Sequence, residues 1–306
     1  MKKDLVTLLD WSADDIRKVL ELAHTLKRSA REEELEHTLP NQTLALIFEK
    51  SSMRTRVSFE VAMTQLGGTS VYLSQQDVNL GQREPVKDGA RVLARYVDGI
   101  AARTYEHSTV QELAAHANIP VVNALSDLYH PCQALADIMT IQEKFGELHG
   151  LKVAYVGDGN NVARSLAVAC AKLGADLTVA SPAHYQFGED FQRRIADLAG
   201  ETGSTFRLTE LPENAVEGAR AVYTDTWVSM GDEAQAEARL EAFQGYEVDS
   251  ALLNHAADDA IVMHCLPAHR GHEISEDVIE GPQSAVFDEA ENRLHAQRAI
   301  LQLLMG

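Results

Sequence analysis

Two hydroxyls and two arginines fall close together in Ser52-Met53-Arg54-Thr55-Arg56. The apolar run Thr43–Phe48 precedes them and follows Pro40-Asn41, which predicts a buried strand. Val57, Phe59, Ala62, Met63 and Leu66 follow them at helical spacing. The cluster therefore lies where a strand hands over to a helix. A helix start presents unpaired backbone N–H groups and the positive end of the helix dipole, and both favour an anion. Arginine adds planar donor forks that match phosphate or carboxylate oxygens. The chemistry implied is a phosphate pocket; the plainer alternative is a serine cap beside surface arginines. No Gly-x4-Gly-Lys-Ser/Thr is present, so the pocket is not a nucleotide-type P-loop.

Further groups recur at strand ends. Arg103 closes the run Gly99-Ile-Ala-Ala, where ligands of open α/β sheets gather; a surface ion pair is the alternative. His130-Pro131-Cys132-Gln133 opens a helix, with proline in its natural first-turn place. His130 and Gln133 could point donors at one oxygen, or simply cap and solvate the helix. Gly157-Asp-Gly-Asn-Asn161-Val162 invites a dinucleotide reading, but Val162 stands at the third glycine position. The next strand ends Val179-Ala-Ser, without an acidic group for a ribose. Asn160 and Asn161 still suit a polar ligand head. Asp225 can pair an amine, and Ser229-Met230-Gly231 can hold a carboxylate; a capping loop around Trp227 would look similar. His264-Cys265-Leu266-Pro267 tempts a zinc reading, but the His and Cys spacings match no standard set. A Cys–His nucleophile pair is disfavoured because adjacent strand residues point opposite ways. Arg293 is placed near the start of the last helix, facing a ligand or an acidic neighbour.

The elements that must position these groups alternate. Strands are expected at 43–48, 69–73, 99–102 and 120–124, with helices over 12–28, from Val57, over 86–98 and 110–118, and after Pro131. Gln75–Pro85 reads as a polar loop. His149-Gly150 marks a boundary, after which strands recur at 151–156, 176–180, 206–208, 221–224 and 260–263, with a helix at 162–173 and a last one from Glu291 to Leu304. Alternation of this kind implies an α/β chain of two domains, each a mainly parallel sheet flanked by helices, with the active site in the cleft between them. The boundaries expected are 1–148 and 149–289, with the helix from about 290 to 306 packing back on the first domain. The 306 residues, 45% apolar and 24% charged, suit two ordinary globular domains. A formal charge of −19 argues against binding nucleic acid or an anionic membrane. Cys132, Cys170 and Cys265 make no disulfide framework, which points to a reducing, cytoplasmic setting. The start lacks a signal-peptide core, and no apolar run approaches the roughly 20 residues a membrane span needs.

Taken together and in order, these motifs resemble the aspartate/ornithine carbamoyltransferase family over nearly the whole chain. Ser52-Met-Arg-Thr-Arg56 is similar to the family's carbamoyl-phosphate loop, and Arg103 and His130-Pro-Cys-Gln133 match further contacts to that substrate. Asp225 with Ser229-Met230-Gly231, and His264-Cys-Leu-Pro267, resemble the ornithine branch. The resemblance implies transfer of a carbamoyl group from carbamoyl phosphate to the side-chain amine of L-ornithine, giving citrulline and phosphate in arginine metabolism, with no cofactor or metal. It implies catalytic roles for Cys265, Arg103, His130 and Gln133. It implies carbamoyl-phosphate contacts from Ser52, Met53, Arg54, Thr55, Asn79, Arg103, His130, Pro131, Cys132, Gln133, Cys265, Leu266 and Arg293. For ornithine it implies Asn161, Asp225, Ser229 and Met230. Met53 stands where the family usually has threonine, Asn79 where it often has glutamine or histidine, and Val228 where threonine is common. The loop around Asn79 resembles one that reaches a neighbouring subunit, implying a homotrimer or a multiple of trimers. The readings left open are another amine acceptor, such as putrescine or acetylornithine, and a non-catalytic anion-binding paralogue.

Overall fold

The computed structural model describes residues 3–78, 80–228 and 233–306. The chain divides into two compact units, Met1–Met139 with Glu291–Gly306, and Thr140–Ala290. In the first unit the strands are β1 (Thr43–Phe48), β2 (Thr69–Ser74), β3 (Gly99–Arg103) and β4 (Val121–Leu125). They form one parallel sheet in the order β2-β1-β3-β4. In the second unit β5 (Lys152–Val156), β6 (Asp176–Ala180), β7 (Phe206–Thr209), β8 (Ala221–Thr224) and β9 (Ile261–His264) form a parallel sheet in the order β7-β6-β5-β8-β9. The nine runs of apolar residues become these nine strands. Central strands β1, β3, β5 and β8 are buried almost throughout, as parallel strands covered on both faces must be.

Helices connect the strands. They are α1 (Ala13–Arg31), α2 (Met53–Gln65), α3 (Gln75–Val78), α4 (Val86–Leu93), α5 (His107–His116) and α6 (Pro131–Phe145). Next come α7 (Asn161–Leu173), α8 (Glu189–Thr202), α9 (Pro212–Val216), α10 (Ala236–Ala242), α11 (Ser250–Leu253), α12 (Glu276–Ile279) and α13 (Val286–Met305). The first unit packs Ala45, Ile47, Ile100, Ala102, Val110 and Leu113 into one apolar cluster. The second packs Val156, Val222, Val262, Trp227 and Phe243 into another. Among the described residues no helix is long and apolar enough to cross a membrane.

Three local differences from the sequence reading have physical causes. The short helix α3 lies inside the segment read as a loop. There Asp77 reaches back to accept from the Ser74 backbone N–H at 2.8 Å and its hydroxyl at 2.6 Å, the side-chain-to-backbone half of a capping box. Helix α4 stops at Leu93, because the backbone then tightens into i to i−3 hydrogen bonds at Arg95 and Tyr96. Helix α13 starts at Val286 rather than Glu291, with Asp288 and Glu289 in its first turn where the dipole favours acids. Arg293 is therefore two turns into that helix and not at its start.

Candidate active site

The first unit gathers its polar groups at the carboxyl ends of β1, β3 and β4. Ser52 is the N-cap of α2. Its Oγ accepts from the Thr55 N–H at 3.3 Å and donates to Thr55 Oγ1 at 3.0 Å. Arg293 Nη2, from α13, donates to the same Thr55 Oγ1 at 2.6 Å. Thr55 Oγ1 thus accepts twice, and its own O–H is left to donate to a ligand. Arg103, His130, Gln133, Thr55 and Arg293 are all buried. Burial first, and then the charges of Arg293 and Arg103, hold the His130 imidazole well below its usual pKa. His130 is therefore neutral near pH 7 and can offer one N–H without adding charge. Arg54 Nε is buried without a protein acceptor. Several cationic donors and a threonine hydroxyl gathered here are the kind of groups that can hold an anion.

Some residues of the sequence reading fall elsewhere. Arg56 is two positions from Arg54, so it leaves on the far side of the helix. It pairs with Glu60 at 2.9 Å and stacks over the Tyr72 ring at 3.8 Å, outside the phosphate set. Met53 is 72% exposed at the first position of α2, so what it can offer a phosphate at the helix start is its N–H. The Cys132 thiol is buried, donates to the Asn123 carbonyl at 3.4 Å and has its pKa raised to about 12 by burial. The thiol is therefore engaged in the core, and what Cys132 could offer a ligand is its backbone. Gln133, read as a donor beside His130 or as a solvated helix residue, is buried rather than solvated, and one N–H of its Nε2 donates to Asp137 Oδ1 at 2.8 Å, one helical turn onward. A cavity of about 240 Å³ opens beside the same strand ends, lined by Phe48, Glu49, Ser74, Tyr105 and Glu106 among others. It contains none of the cationic set, and its two carboxylates make it a poor phosphate site.

The second unit builds its site from three loops after β5, β8 and β9. Asn160 caps α7, its Oδ1 accepting from Val162 and Ala163 N–H groups. Its Nδ2 donates to Asp225 Oδ2 at 2.7 Å. Gly159 has to be glycine because a Cβ there would lie 2.7 Å from the Tyr185 carbonyl oxygen. A close backbone approach, rather than a bound dinucleotide, accounts for it. Asp225 Oδ1 accepts from the Thr226 N–H at 2.8 Å and from the Cys265 thiol at 3.0 Å. The thiol proton is thereby directed at a carboxylate, and the sulfur lone pairs are turned elsewhere.

The turn after β9 is braced by buried acids that sequence reasoning missed. Glu289 accepts from the His264 N–H at 2.9 Å and from the Tyr223 hydroxyl at 3.0 Å. His264 Nδ1 accepts from the Leu266 N–H at 2.9 Å, so Nε2 carries the proton and faces Glu273 at 3.1 Å. Leu266 has a φ of +57°, a left-handed conformation that costs a bulky residue on the order of 1–3 kcal/mol. The His264 hydrogen bond helps hold it there. Asp225, His264 and Cys265 bring ligand atoms within 4.8 Å of one another, the arrangement a metal would need. Both His264 nitrogens are already engaged, however, which leaves two ligands and an unsuitable set. The same engagement keeps the imidazole from activating the thiol. Arg239 was also missed: its Nη1 donates to Asp158 Oδ2 at 2.7 Å and to the Trp227 carbonyl at 3.1 Å. Asn161 opens α7 beside Asn160. Asn79, Ser229 and Met230 lie outside the described residues.

Comparison with known proteins matches two family models. Residues 3–143 match the carbamoyl-P binding domain of aspartate/ornithine carbamoyltransferase, and residues 149–304 match its Asp/Orn binding domain. An ornithine carbamoyltransferase of Pyrococcus abyssi is 52% identical over 304 residues, covering 99% of this chain and 96% of the relative. One from Halalkalibacterium halodurans is 51% identical over 303 residues, covering 99% and 95%. The solved structure of ornithine carbamoyltransferase from Pyrococcus furiosus superimposes with a TM-score of 0.97 at 52% identity, covering 99% of this chain and 97% of that one.

Proposed function

The chain belongs to the aspartate/ornithine carbamoyltransferase family, and on that premise we propose that it is an ornithine carbamoyltransferase. It transfers the carbamoyl group of carbamoyl phosphate to the side-chain amine of L-ornithine, giving L-citrulline and phosphate. The observation that carries the choice of amine is the Asp225–Cys265 hydrogen bond, set in the ornithine-branch signature His264-Cys-Leu-Pro267. Carbamoyl phosphate is held by the Ser52, Arg54 and Thr55 loop, by the backbone of Met53, Pro131 and Cys132, and by Arg103 and Arg293. The amine nitrogen attacks the carbonyl carbon. Charge then develops on the carbonyl oxygen, where Arg103, neutral His130 and the Thr55 hydroxyl supply donors. The nitrogen loses a proton, the carbon–oxygen bond to phosphate breaks, and phosphate leaves with the electron pair.

A free alkylamine has a pKa near 10.4, so it must be stripped of its proton to attack. Desolvation disfavours the charged amine, and the substrate phosphate accepts the proton. With its own proton directed to Asp225, Cys265 presents lone pairs that can accept a hydrogen bond from the amine and orient it. The Leu266 carbonyl is a further contact to the reacting groups. Asn161, Asp225, Ser229 and Met230 bind the amino-acid end of ornithine. The exposed apolar side chains Met53, Val57 and Val71 support a face covered by a second copy, as in a homotrimer. Three free cysteines fit a reducing cytoplasm.

A product assay tests this reading. Carbamoyl phosphate is offered with ornithine, acetylornithine, putrescine, lysine or aspartate. Citrulline should form from ornithine at a rate well above any product from the other four. No citrulline, or faster carbamoylation of putrescine or acetylornithine, would sink the assignment.

A further inference from the structure

We propose that His269 is a positioning residue for the amino-acid substrate: its ring fastens the loop after β9 to the loop after β8, holding Cys265 and Asp225 in register. The inference rests on the reading of the second unit as the ornithine site. Glu273 is the anchor. It is 1% exposed, and its Oε1 accepts from His264 Nε2 at 3.1 Å and from the His269 N–H at 2.6 Å. Burial pushes its carboxyl up, but those hydrogen bonds outweigh burial and hold it below the usual carboxylate range. An ionised acceptor therefore fixes the backbone at His269, four residues beyond Cys265.

The ring of His269 then crosses to the other loop. Its Nδ1 lies 3.2 Å from Thr226 Oγ1. Thr226 has one hydroxyl proton and donates it to the Val228 carbonyl at 3.1 Å. Toward His269 the oxygen can only accept, so Nδ1 carries a proton and donates. The same nitrogen is 3.7 Å from Glu273 Oε1, whose charge favours that proton. Stacked rings add a second link: His269 lies 6.1 Å from His272, and His272 lies 6.4 Å from Trp227. Thr226 in turn donates its N–H to Asp225 Oδ1 at 2.8 Å, the oxygen that also receives the Cys265 thiol. The contacts run from Glu273 through His269, Thr226 and Asp225 to Cys265, and so return to the loop they left. A closed circuit of this kind restrains each member more than an open chain would. The His269 side chain is 52% exposed, so replacing it breaks the circuit without emptying the core.

The test is steady-state kinetics, with calorimetry of carbamoyl phosphate, on wild-type enzyme and on His269→Leu, His269→Asn, Thr226→Val and the double variant His269→Leu with Thr226→Val. Each is checked by circular dichroism and Tm. Loss of one neutral hydrogen bond corresponds to roughly threefold to tenfold in affinity, and KM for ornithine should rise by about that much in His269→Leu and in Thr226→Val. The Kd for carbamoyl phosphate should stay within about twofold of wild type. His269→Asn should recover most of the loss, because its amide NH2 can stand where Nδ1–H does. The double variant should match Thr226→Val alone, since both changes break one link. A KM rise below about threefold in folded His269→Leu would overturn the proposal, even if Tm fell, for that is the mark of a mere brace. So would effects that multiply in the double variant, which would put His269 on the substrate itself. Wild-type enzyme that makes no citrulline would instead bring down the functional reading. Hydrogen exchange across 225–228 would then still test the link: it should be faster in His269→Leu than in wild type or His269→Asn, and equal exchange in all three would overturn it.

Discussion

Replacing Arg293 by methionine separates a charge that binds substrate from one that merely decorates a surface. Arg293 is 4% exposed, donates to Thr55 Oγ1 at 2.6 Å and sits close enough to His130 to depress its pKa. Methionine keeps much of the volume and removes the donors. A buried hydrogen bond from a charged group contributes about 1.5–3 kcal/mol, so carbamoyl phosphate should bind roughly tenfold to 150-fold more weakly. Arg56 is the control. It is exposed and already paired with Glu60, and Arg56→Met should shift affinity by less than about threefold if surface pairs behave as usual. A second readout follows from His130. Burial is the larger cause of its low pKa and remains; the Arg293 charge is the next cause and is lost. The His130 pKa should therefore rise while staying below the ordinary histidine value. The acid-side decline of kcat/KM should begin at a higher pH than in wild type. Calorimetric titration with carbamoyl phosphate at pH 7.5 and a pH–rate profile measure the two effects. Affinity loss in Arg293→Met no larger than in Arg56→Met would refute the assignment of Arg293 to the anion site.

Three further outcomes follow from other contacts. His295 is buried, and burial is the main cause of its folded pKa of about 4 against 6.5 for a free imidazole. The folded state thus resists a proton that the unfolded chain accepts, so stability falls as pH drops from about 6.5 to about 4, by roughly 3 kcal/mol at the acid end. Urea unfolding of His295→Leu at pH 7 and pH 4.5 should show a smaller acid loss than wild type, and an identical loss would contradict the cause given. Glu289→Ala removes the acceptor that the buried Tyr223 hydroxyl and His264 N–H share, a loss of about 1–3 kcal/mol or more. Urea unfolding should show the loss, kcat should fall as the Cys265 turn loosens, and Glu289→Gln should recover part of both. Arg239→Met frees the Trp227 carbonyl and Asp158, on the two loops that flank the ornithine residues. It should raise KM for ornithine about tenfold and leave the Kd for carbamoyl phosphate unchanged; equal effects on both substrates would count against it.

The strands were legible because a covered parallel strand must be apolar along its length, and runs such as Leu44-Ala-Leu-Ile-Phe48 have few other uses. The anion site was legible in part, because hydroxyls and arginines at a helix start have a defined electrostatic purpose. The direction of each side chain was less so. Arg54 and Arg56 look equivalent as letters, yet one is partly buried in the pocket and the other lies over Tyr72. Cys132 stands between two residues of the site while its thiol points into the core. The supporting acids were hardest to find. Glu273 and Glu289 lie among other acidic residues, and in an acidic chain their burial has no compositional mark. Asp137 did carry a signal, the i, i+4 spacing from Gln133, which on a helix puts the two side chains on one face.

The electrostatics of the two units resolve an apparent conflict between a chain of formal charge −19 and an anionic substrate. Screening at physiological ionic strength limits the reach of exposed charge to about 8 Å, so most surface carboxylates act weakly at a buried site. Local groups decide binding there. On the proposed reading these are, in the first unit, Arg54, Arg103 and Arg293, with His130 kept neutral so that it adds a donor but no further repulsion among cations. In the second unit the buried carboxylates have a different task. Asp225 holds a thiol and an amide, while Glu273 and Glu289 hold the ring and the N–H of His264. Glu273 and Glu289 spend their acceptors on positioning, and Asp225 spends most of its own in the same way. An amine nucleophile benefits from that arrangement, because a carboxylate already engaged stabilises an ammonium ion less than a bare one would. The ground state of the protonated amine is then not over-stabilised, and the neutral amine needed for attack is easier to reach.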